Sequence, residues 1–367
     1  NVNKGAGITA RNVKIIEYLE KKLTKNFILT LNNKKLPKQS YISEDRVHTL
    51  RYFNERFPIP IYNLFLIGYL VKKADIVHLT CFWTLLNAYV YICCKIFSKK
   101  YIICPAGSLL VFGRSKFKKY IYNLLVGKNI VREAASVIAI TDKEVEQFLS
   151  INIPAKKIFK IPNGVELNNT EKINFATENE SYLKNLKPFI LYMGRLNFIK
   201  GPDILLESFN KIADQIPNHN LVFAGNDDGM GRELRMISQK SKFSKRIHFI
   251  GFVNGKKKEF LYQNADVLVI PSRSEAMSLV VLEAALHGLE SIFTDQCGLD
   301  ELNKKQLGKS VPVNVNLLAE AIKEFITSNK GRKNNLTLKK YVSKNFNWER
   351  ITSQYLEVIK SSKKNSL

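Results

Sequence analysis

Residues 265–288 read Ala265-Asp-Val-Leu-Val-Ile-Pro-Ser-Arg-Ser-Glu-Ala-Met-Ser-Leu-Val-Val-Leu-Glu-Ala-Ala-Leu-His-Gly288. Val267–Ile270 is a short apolar run of the kind a strand buried on both faces needs. Pro271 ends it, and the small polar residues up to Ser278 form a loop. Leu279, Leu282, Ala285 and Leu286 then recur at helical spacing, with Gly288 where a C-terminal cap belongs. In an open parallel sheet, ligands bind at the carboxyl ends of the strands. That is where this loop puts Glu275, with Glu283 a turn and a half into the helix. The N–H groups of the first turn, from Ser278 to Val280, suit a phosphate. Glutamates eight apart also arise on any solvated helix face, so the pair needs support from elsewhere in the chain.

Support comes from Pro188-Phe-Ile-Leu-Tyr-Met-Gly-Arg-Leu-Asn-Phe-Ile-Lys-Gly201, a second apolar strand running into a glycine turn. Arg195 and Lys200 project from the loop before a helix beginning near Pro202. A guanidinium fork and a point charge at the end of a strand are what a diphosphate requires. The strand–Gly-Arg-Leu–Lys-Gly–helix pattern, followed by Glu275 and Glu283, resembles the retaining GT-B glycosyltransferases of the group 1, family 4 class. Ile161-Pro-Asn-Gly-Val165 is similar to that family's connection between domains. The resemblance spans nearly the whole chain and is specific in the second half.

The resemblance implies an α/β fold of two doubly wound, parallel-sheet, Rossmann-like domains facing across a cleft. Residues 1–167 would form an acceptor-binding domain and 168–347 a nucleotide-sugar-binding domain. Residues 348–367 would form a helix crossing back to the first. It further implies that Glu283 accepts from the ribose hydroxyls and that Glu275 lies near the transferred sugar. Arg195 and Lys200 would then hold the leaving diphosphate. Met277, Ser278, Leu279 and Val280 would line the donor, and the backbone around Gly251, Phe252 and Val253 would meet the nucleobase. Gly5 and Gly7, a glycine turn before a helix expected from about Thr9 to Leu23, would approach the diphosphate. An ordinary tight turn accounts for them equally well. Where the family reads Glu-Gly-Phe-Gly, this chain reads Glu275-Ala-Met-Ser278. Losing both glycines is tolerable if φ stays negative. Ala106 stands where many relatives have a His or Arg that contacts sugar or phosphate.

The 367 residues suffice for two domains, and 45% of them are hydrophobic. The net charge of +25 is unusual and uneven. Residues 1–167 hold 27 basic against 11 acidic side chains, and residues 168–367 hold 30 against 21. From Ile76 to Arg132 no acid occurs, while nine basic and ten aromatic residues do. Arg114 lies just before, and Lys116, Lys118 and Lys119 early in, a helix expected over about Ser115–Arg132, whose other face can carry Phe117, Tyr120, Ile121 and Leu124. Basic plus amphipathic describes a surface lying on anionic lipid, although a solvated face gives the same composition. A nucleic-acid groove would also use the charge, but no accompanying motif points to one.

Strands alternate with helices through both halves, which predicts parallel sheets. The segment Asn32–Pro60 reads as irregular, and Glu166–Lys187 as the linker. His78 closes a strand and is a candidate for contact with acceptor or sugar. A structural histidine is the commoner outcome at such a place. The five cysteines show neither disulfide nor metal spacing and read as buried thiols of a reducing compartment. The run Leu79–Cys94 is short for a membrane span. The expectation is a cytoplasmic protein, peripheral on the inner membrane face, with no cofactor and no metal. Its nucleotide sugar is a co-substrate and its acceptor a lipid-linked glycan, as in surface-polysaccharide or lipopolysaccharide assembly. The Asp227–Asp228 pair reads as a solvated turn. Two other readings stay open: a non-catalytic partner subunit, or an enzyme acting on nucleic acid.

Overall fold

The computed structural model describes residues 6–22, 26–31, 46–53, 59–60, 64–109, 116–167, 182–328 and 335–364. Gly5, Arg114, the side chain of Lys116 and residues 168–181 of the expected linker lie outside that description. The chain divides into two units. One comprises residues 1–164 with 348–367, the other residues 165–347.

In the first unit, β1 (Ile28–Leu31) and β2 (Val47–Leu50) pair in parallel, and the short β3 (Tyr52–Phe53) and β4 (Ile59–Pro60) pair antiparallel. Four further strands form a parallel sheet in sequence order. They are β5 (Val77–Thr80), β6 (Tyr101–Cys104), β7 (Ser136–Ala139) and β8 (Ile158–Lys160). Every residue of β6 and β7 is buried, as continuous apolar runs require. Ile67, Leu79, Ile103, Ile130, Val137 and Phe148 share the core. Helix Trp348–Lys364 belongs to this unit, packing on helix Ala6–Glu20 and on β6. Ile351, Tyr355 and Val358 are its buried face. Polar ties hold it as well: Ser136 to Ser362 at 2.8 Å and Lys22 to Ser353 at 3.1 Å.

Several sequence expectations need revision here. The first helix starts at Ala6, so Gly7 lies in its first turn and not in a loop before it. The supposedly irregular segment contributes β2, β3 and β4, whose short runs carry too little pattern to announce themselves. The helix expected over Ser115–Arg132 is α-helical at Lys116–Tyr122 and Lys128–Arg132, with a π-turn at Asn123–Gly127 between them. Gly127 ends that turn because a Cβ there would stand 2.5 Å from Asn123 Oδ1 and 3.2 Å from the Phe82 ring.

The second unit is one parallel sheet of six strands. These are β9 (Phe189–Met193), β10 (Asn220–Ala224), β11 (Ile247–Gly251), β12 (Val267–Ile270), β13 (Ser291–Thr294) and β14 (Lys309–Val311), in the order β11-β10-β9-β12-β13-β14. Alternation along β9 sends Ile190 and Tyr192 to one packed face, and Leu191 and Met193 to the other. This two-sided burial is why β9 and β12 read as unbroken apolar runs. The strand order reverses between β9 and β12, and a sheet of this kind binds its ligand at that reversal.

Candidate functional site

The two loops leaving β9 and β12 lie against each other at the carboxyl edge of the sheet. The first, residues 194–201, ends in Gly201 with φ +66°. A Cβ on Gly201 would meet the Pro271 carbonyl oxygen at 2.1 Å, so only glycine lets the loops approach this closely. Lys200 from the first loop and Glu275 from the second form an ion pair at 2.7 Å. Ser272 Oγ donates to the same Glu275 Oε1 at 2.6 Å. One carboxylate oxygen is thereby saturated, while Oε2 is left to accept from a ligand.

Glu283, on helix Leu279–Leu286, is held in the same manner. Lys258 Nζ at 2.7 Å and the buried Tyr262 hydroxyl at 2.9 Å both meet its Oε2, which leaves Oε1 to accept. Lys258 and Tyr262 are four apart on helix Gly255–Asn264, hence on one face. The sequence reading had passed over both.

Arg195 is half-exposed and pairs with Asp228 at 2.6 Å; Asn197 Nδ2 donates to the same Asp228 oxygen at 2.8 Å. Tyr192 donates its hydroxyl to the Arg195 carbonyl at 2.8 Å and shapes the turn from below. Burial, and then the Glu275 carboxylate, push the Tyr192 hydroxyl well above its ordinary pKa, so it stays a donor. Asp227 accepts from the N–H groups of Gly229 at 2.9 Å and Gly231 at 2.8 Å, and those bonds hold its carboxyl below the usual range. The two aspartates lie in an exposed turn, as expected, and each has a local task there: Asp227 accepts from the first N–H of helix Gly231–Lys240 and Asp228 pairs with Arg195. Among the described residues no cluster of three His, Cys, Asp or Glu is placed to hold a metal ion.

At the start of helix Leu279–Leu286, Ser278 has φ −74° and Ala276 is not left-handed. Both replacements of glycine are thus free of backbone strain. Ser278 itself is a correction: its N–H donates to the Cys297 carbonyl at 3.0 Å and is not available to a phosphate. The N–H groups of Leu279 and Val280 have no acceptor among the described residues, and Ser278 supplies no side-chain cap. Met277 packs on the core. Burial, with the Glu275 carboxylate as second cause, pushes the nearby Cys297 thiol up to about 12, which makes it inert. At the end of β11, Gly251 has φ +72° and Phe252 is 62% exposed beside the buried Val253.

The first unit departs further from expectation. His78 is the second residue of β5, not its end. Its ring lies 5.5 Å from that of Tyr355, and its buried Nε2 has no partner. Burial and the Arg11 guanidinium lower its pKa to about 3. The half-buried ring thus packs against the helix returning from residue 348. Ala106 is buried with φ +51°. Its turn is pinned by the buried Glu144, which accepts from the N–H groups of Gly107 and, at 2.6 Å, Ile140. Phe117, Tyr120, Leu124 and Leu125 are exposed along helix Lys116–Tyr122 and the π-turn after it. Lys118 lies on the surface beside them, and Lys119 lies 5.5 Å over the Trp83 ring.

Comparison with known proteins agrees with this geometry. The sequence matches the family described as glycosyl transferases group 1 over residues 174–345, and glycosyltransferase family 4 over residues 6–169. The chain is a GT-B glycosyltransferase of group 1. The GT-B chain is 31% identical over 247 residues to an uncharacterized glycosyltransferase of Methanocaldococcus jannaschii, covering 62% of this chain and 60% of that one. It is 26% identical to a 41.2 kDa protein in the cps region of Klebsiella pneumoniae, covering 63% of each. The matched stretches thus span about three fifths of these relatives' length. Among solved structures, the glycosyltransferase shares its fold with one from Rickettsia africae (TM-score 0.77, 21% identity, 99% and 96% of the chains). It likewise resembles HepE of Anabaena in complex with UDP and glucose (TM-score 0.76, 18% identity, 98% and 97%).

Proposed function

We propose that this glycosyltransferase moves a sugar from a nucleotide-sugar donor to a glycan acceptor with retention at the anomeric carbon. The observation that carries the reading is the Lys200–Glu275 pair between the two loops that leave the sheet where the strand order reverses, with Arg195 on the first of those loops and Glu283 on the helix that follows the second. In the reaction, the bond from the anomeric carbon to the β-phosphate oxygen breaks. The acceptor oxygen bonds to that carbon, and its proton passes to the departing diphosphate. Arg195, Lys200 and the N–H groups of Leu279 and Val280 stabilise the charge that develops there. Glu283 Oε1 accepts from the ribose, Glu275 Oε2 orients the sugar, and Phe252 covers the base. Two side-chain cations meet the diphosphate in place of a metal ion, so turnover in excess EDTA should equal that without it. The acceptor binds the first unit. The UDP complexes of HepE support a uridine nucleotide as the first donor to try.

The deciding experiment is a thermal-shift screen with UDP, GDP, ADP and their sugar conjugates, on wild type and Glu283→Ala. A ligand bound only by the folded state raises its stability by mass action. A shift with one nucleotide, weakened about tenfold in affinity by Glu283→Ala, sustains the reading. No shift with any nucleotide favours a non-catalytic partner subunit, and a salt-sensitive DNA complex favours a nucleic-acid substrate.

The acceptor is lipid-linked and the enzyme is peripheral on the inner face of the cytoplasmic membrane, within surface-polysaccharide or lipopolysaccharide assembly. The stripe of Phe117, Tyr120, Leu124 and Leu125 beside Lys118 supports this. So does helix Leu64–Lys73, where Phe65 is 96% exposed and Lys73 lies over the Tyr69 ring at 4.5 Å. Among the described residues no helix is long and apolar enough to cross a membrane. Each basic residue near anionic headgroups contributes about 1 kcal/mol. Sedimentation with phosphatidylserine vesicles but not phosphatidylcholine vesicles, lost in the Lys116→Glu/Lys118→Glu/Lys119→Glu variant, is the expected outcome.

A further inference from the structure

Arg273 lies in the β12 loop, two residues before Glu275, and its side chain leaves that loop altogether. Its guanidinium forms a two-pronged ion pair with Asp203, Nη1 to Oδ1 at 2.9 Å and Nη2 to Oδ2 at 2.6 Å. Nη1 also donates to the Phe198 carbonyl at 2.7 Å. The guanidinium plane lies 4.0 Å over the Phe198 ring, and the Arg273 backbone N–H donates to the Ile199 carbonyl at 2.7 Å. Phe198, Ile199 and Asp203 flank Lys200 on both sides. A single side chain of one loop thus grips the other loop just before and just after its cation.

We infer that Arg273 and Asp203 are positioning residues that fix Lys200 against Glu275 and so set the place where the donor diphosphate is held. The inference rests on the reading that Lys200 binds that diphosphate. Lys200 is a flexible side chain on a short turn. Its ammonium is useful only if the turn stands still, since small misplacements of an electrostatic group cost far more than they appear to. The turn's own sequence gives it little rigidity beyond the Asn197 cap, whose Oδ1 accepts from Lys200 N–H at 3.0 Å. Gly201, required for the close approach to Pro271, adds none. Arg273 supplies the missing constraint with three charge-assisted bonds and a stacked ring. Only a planar fork makes all of these at once. Both guanidinium Nη groups of Arg273 and both Asp203 oxygens are engaged in this contact, so they act through Lys200 and not on the ligand.

The test separates the phosphate contribution from the rest of the nucleotide. Calorimetry would give the affinities of UDP and UMP, GDP and GMP, ADP and AMP for wild type, Lys200→Ala, Arg273→Lys and Asp203→Asn. The readout is the ratio of diphosphate to monophosphate affinity. For the nucleotide the protein prefers, Arg273→Lys and Asp203→Asn should each lower that ratio about tenfold. The double variant should be no worse than either single one, as for two ends of one contact. A merely structural role would lower the melting temperature and leave the ratio alone. A ratio unchanged in both variants, while Lys200→Ala collapses it, overturns the inference and spares the reading beneath it. A ratio unchanged in Lys200→Ala, or no nucleotide bound by wild type, overturns that reading and the inference with it. Should Arg273→Lys fail to fold, Asp203→Asn asks the same question from the other side of the contact.

Discussion

A neutral imidazole at position 78 makes the first unit sensitive to acid. Unfolded, His78 takes up a proton near its ordinary pKa of 6.5, whereas folded it refuses one until about 3. Its folded pKa is depressed, so the stability it contributes is fully present above 6.5 and is lost as pH falls. By pH 5 the loss is about 2 kcal/mol. The profile can be read without interference from the second unit, because both tryptophans, Trp83 and Trp348, belong to the first. The melting temperature followed by tryptophan emission should fall between pH 7 and about 5, and His78→Phe should flatten that fall while keeping the ring against Tyr355. An unflattened profile would place the acid sensitivity elsewhere. No sequence pattern announces such a residue. An unpaired imidazole in an apolar run has the same letters whether it faces a ligand or a helix returning from residue 348.

Among the elements, those most legible in the sequence were the ones buried on both faces. β9 and β12 declared themselves as apolar runs, whereas their adjacency at the point where the strand order reverses is seen only in the folded sheet. Arg195, Lys200, Glu275 and Glu283 could be singled out as candidates because each sits at a fixed offset from such a strand. The groups that hold them were not, since Asp228 beside Arg195, Lys258 and Tyr262 beside Glu283, and the Arg273–Asp203 pair beside Lys200 meet across separate loops and helices that only the folded sheet brings together. β14 escaped because Lys309 and Ser310 interrupt any apolar run at a sheet edge. Gly201 offers the sharpest test at this scale. Gly201→Ala adds a carbon 2.1 Å from a backbone oxygen at φ +66°, and no flexible side chain can yield. The left-handed strain alone costs about 1–3 kcal/mol, and the clash must push the two loops apart. Nucleotide affinity should drop along with the melting temperature of the second unit. Wild-type affinity in this variant would show that the loops need not touch.

For the molecule as a whole, the decisive element is the final helix. It buries Ile351, Tyr355 and Val358 against the first unit and covers Arg11, which is 1% exposed. Apolar side chains of this size are worth about 2 kcal/mol each when buried, against roughly 5–15 kcal/mol for a whole domain. A chain ending at Asn347 should therefore leave its first unit unfolded, seen as red-shifted Trp83 emission and rapid proteolysis. The second unit, residues 165–347, keeps every contact of its own six-stranded sheet and should still bind whichever nucleotide the intact chain binds.

The path of the chain at that boundary has a wider use. Val165 donates to the Phe346 carbonyl at 2.7 Å and bridges with Asn347, so the two ends of the second unit lie side by side. On the other side of the boundary, Gly164 is packed so tightly on Trp348 that a Cβ would stand 2.6 Å from the indole. The second unit is, in effect, a cassette joined to its host through two adjacent pins. A gene encoding a different cassette could be spliced between codons 164 and 348 without lengthening either junction. Exchange of this kind offers a simple route by which one first unit could be joined to second units of different specificity.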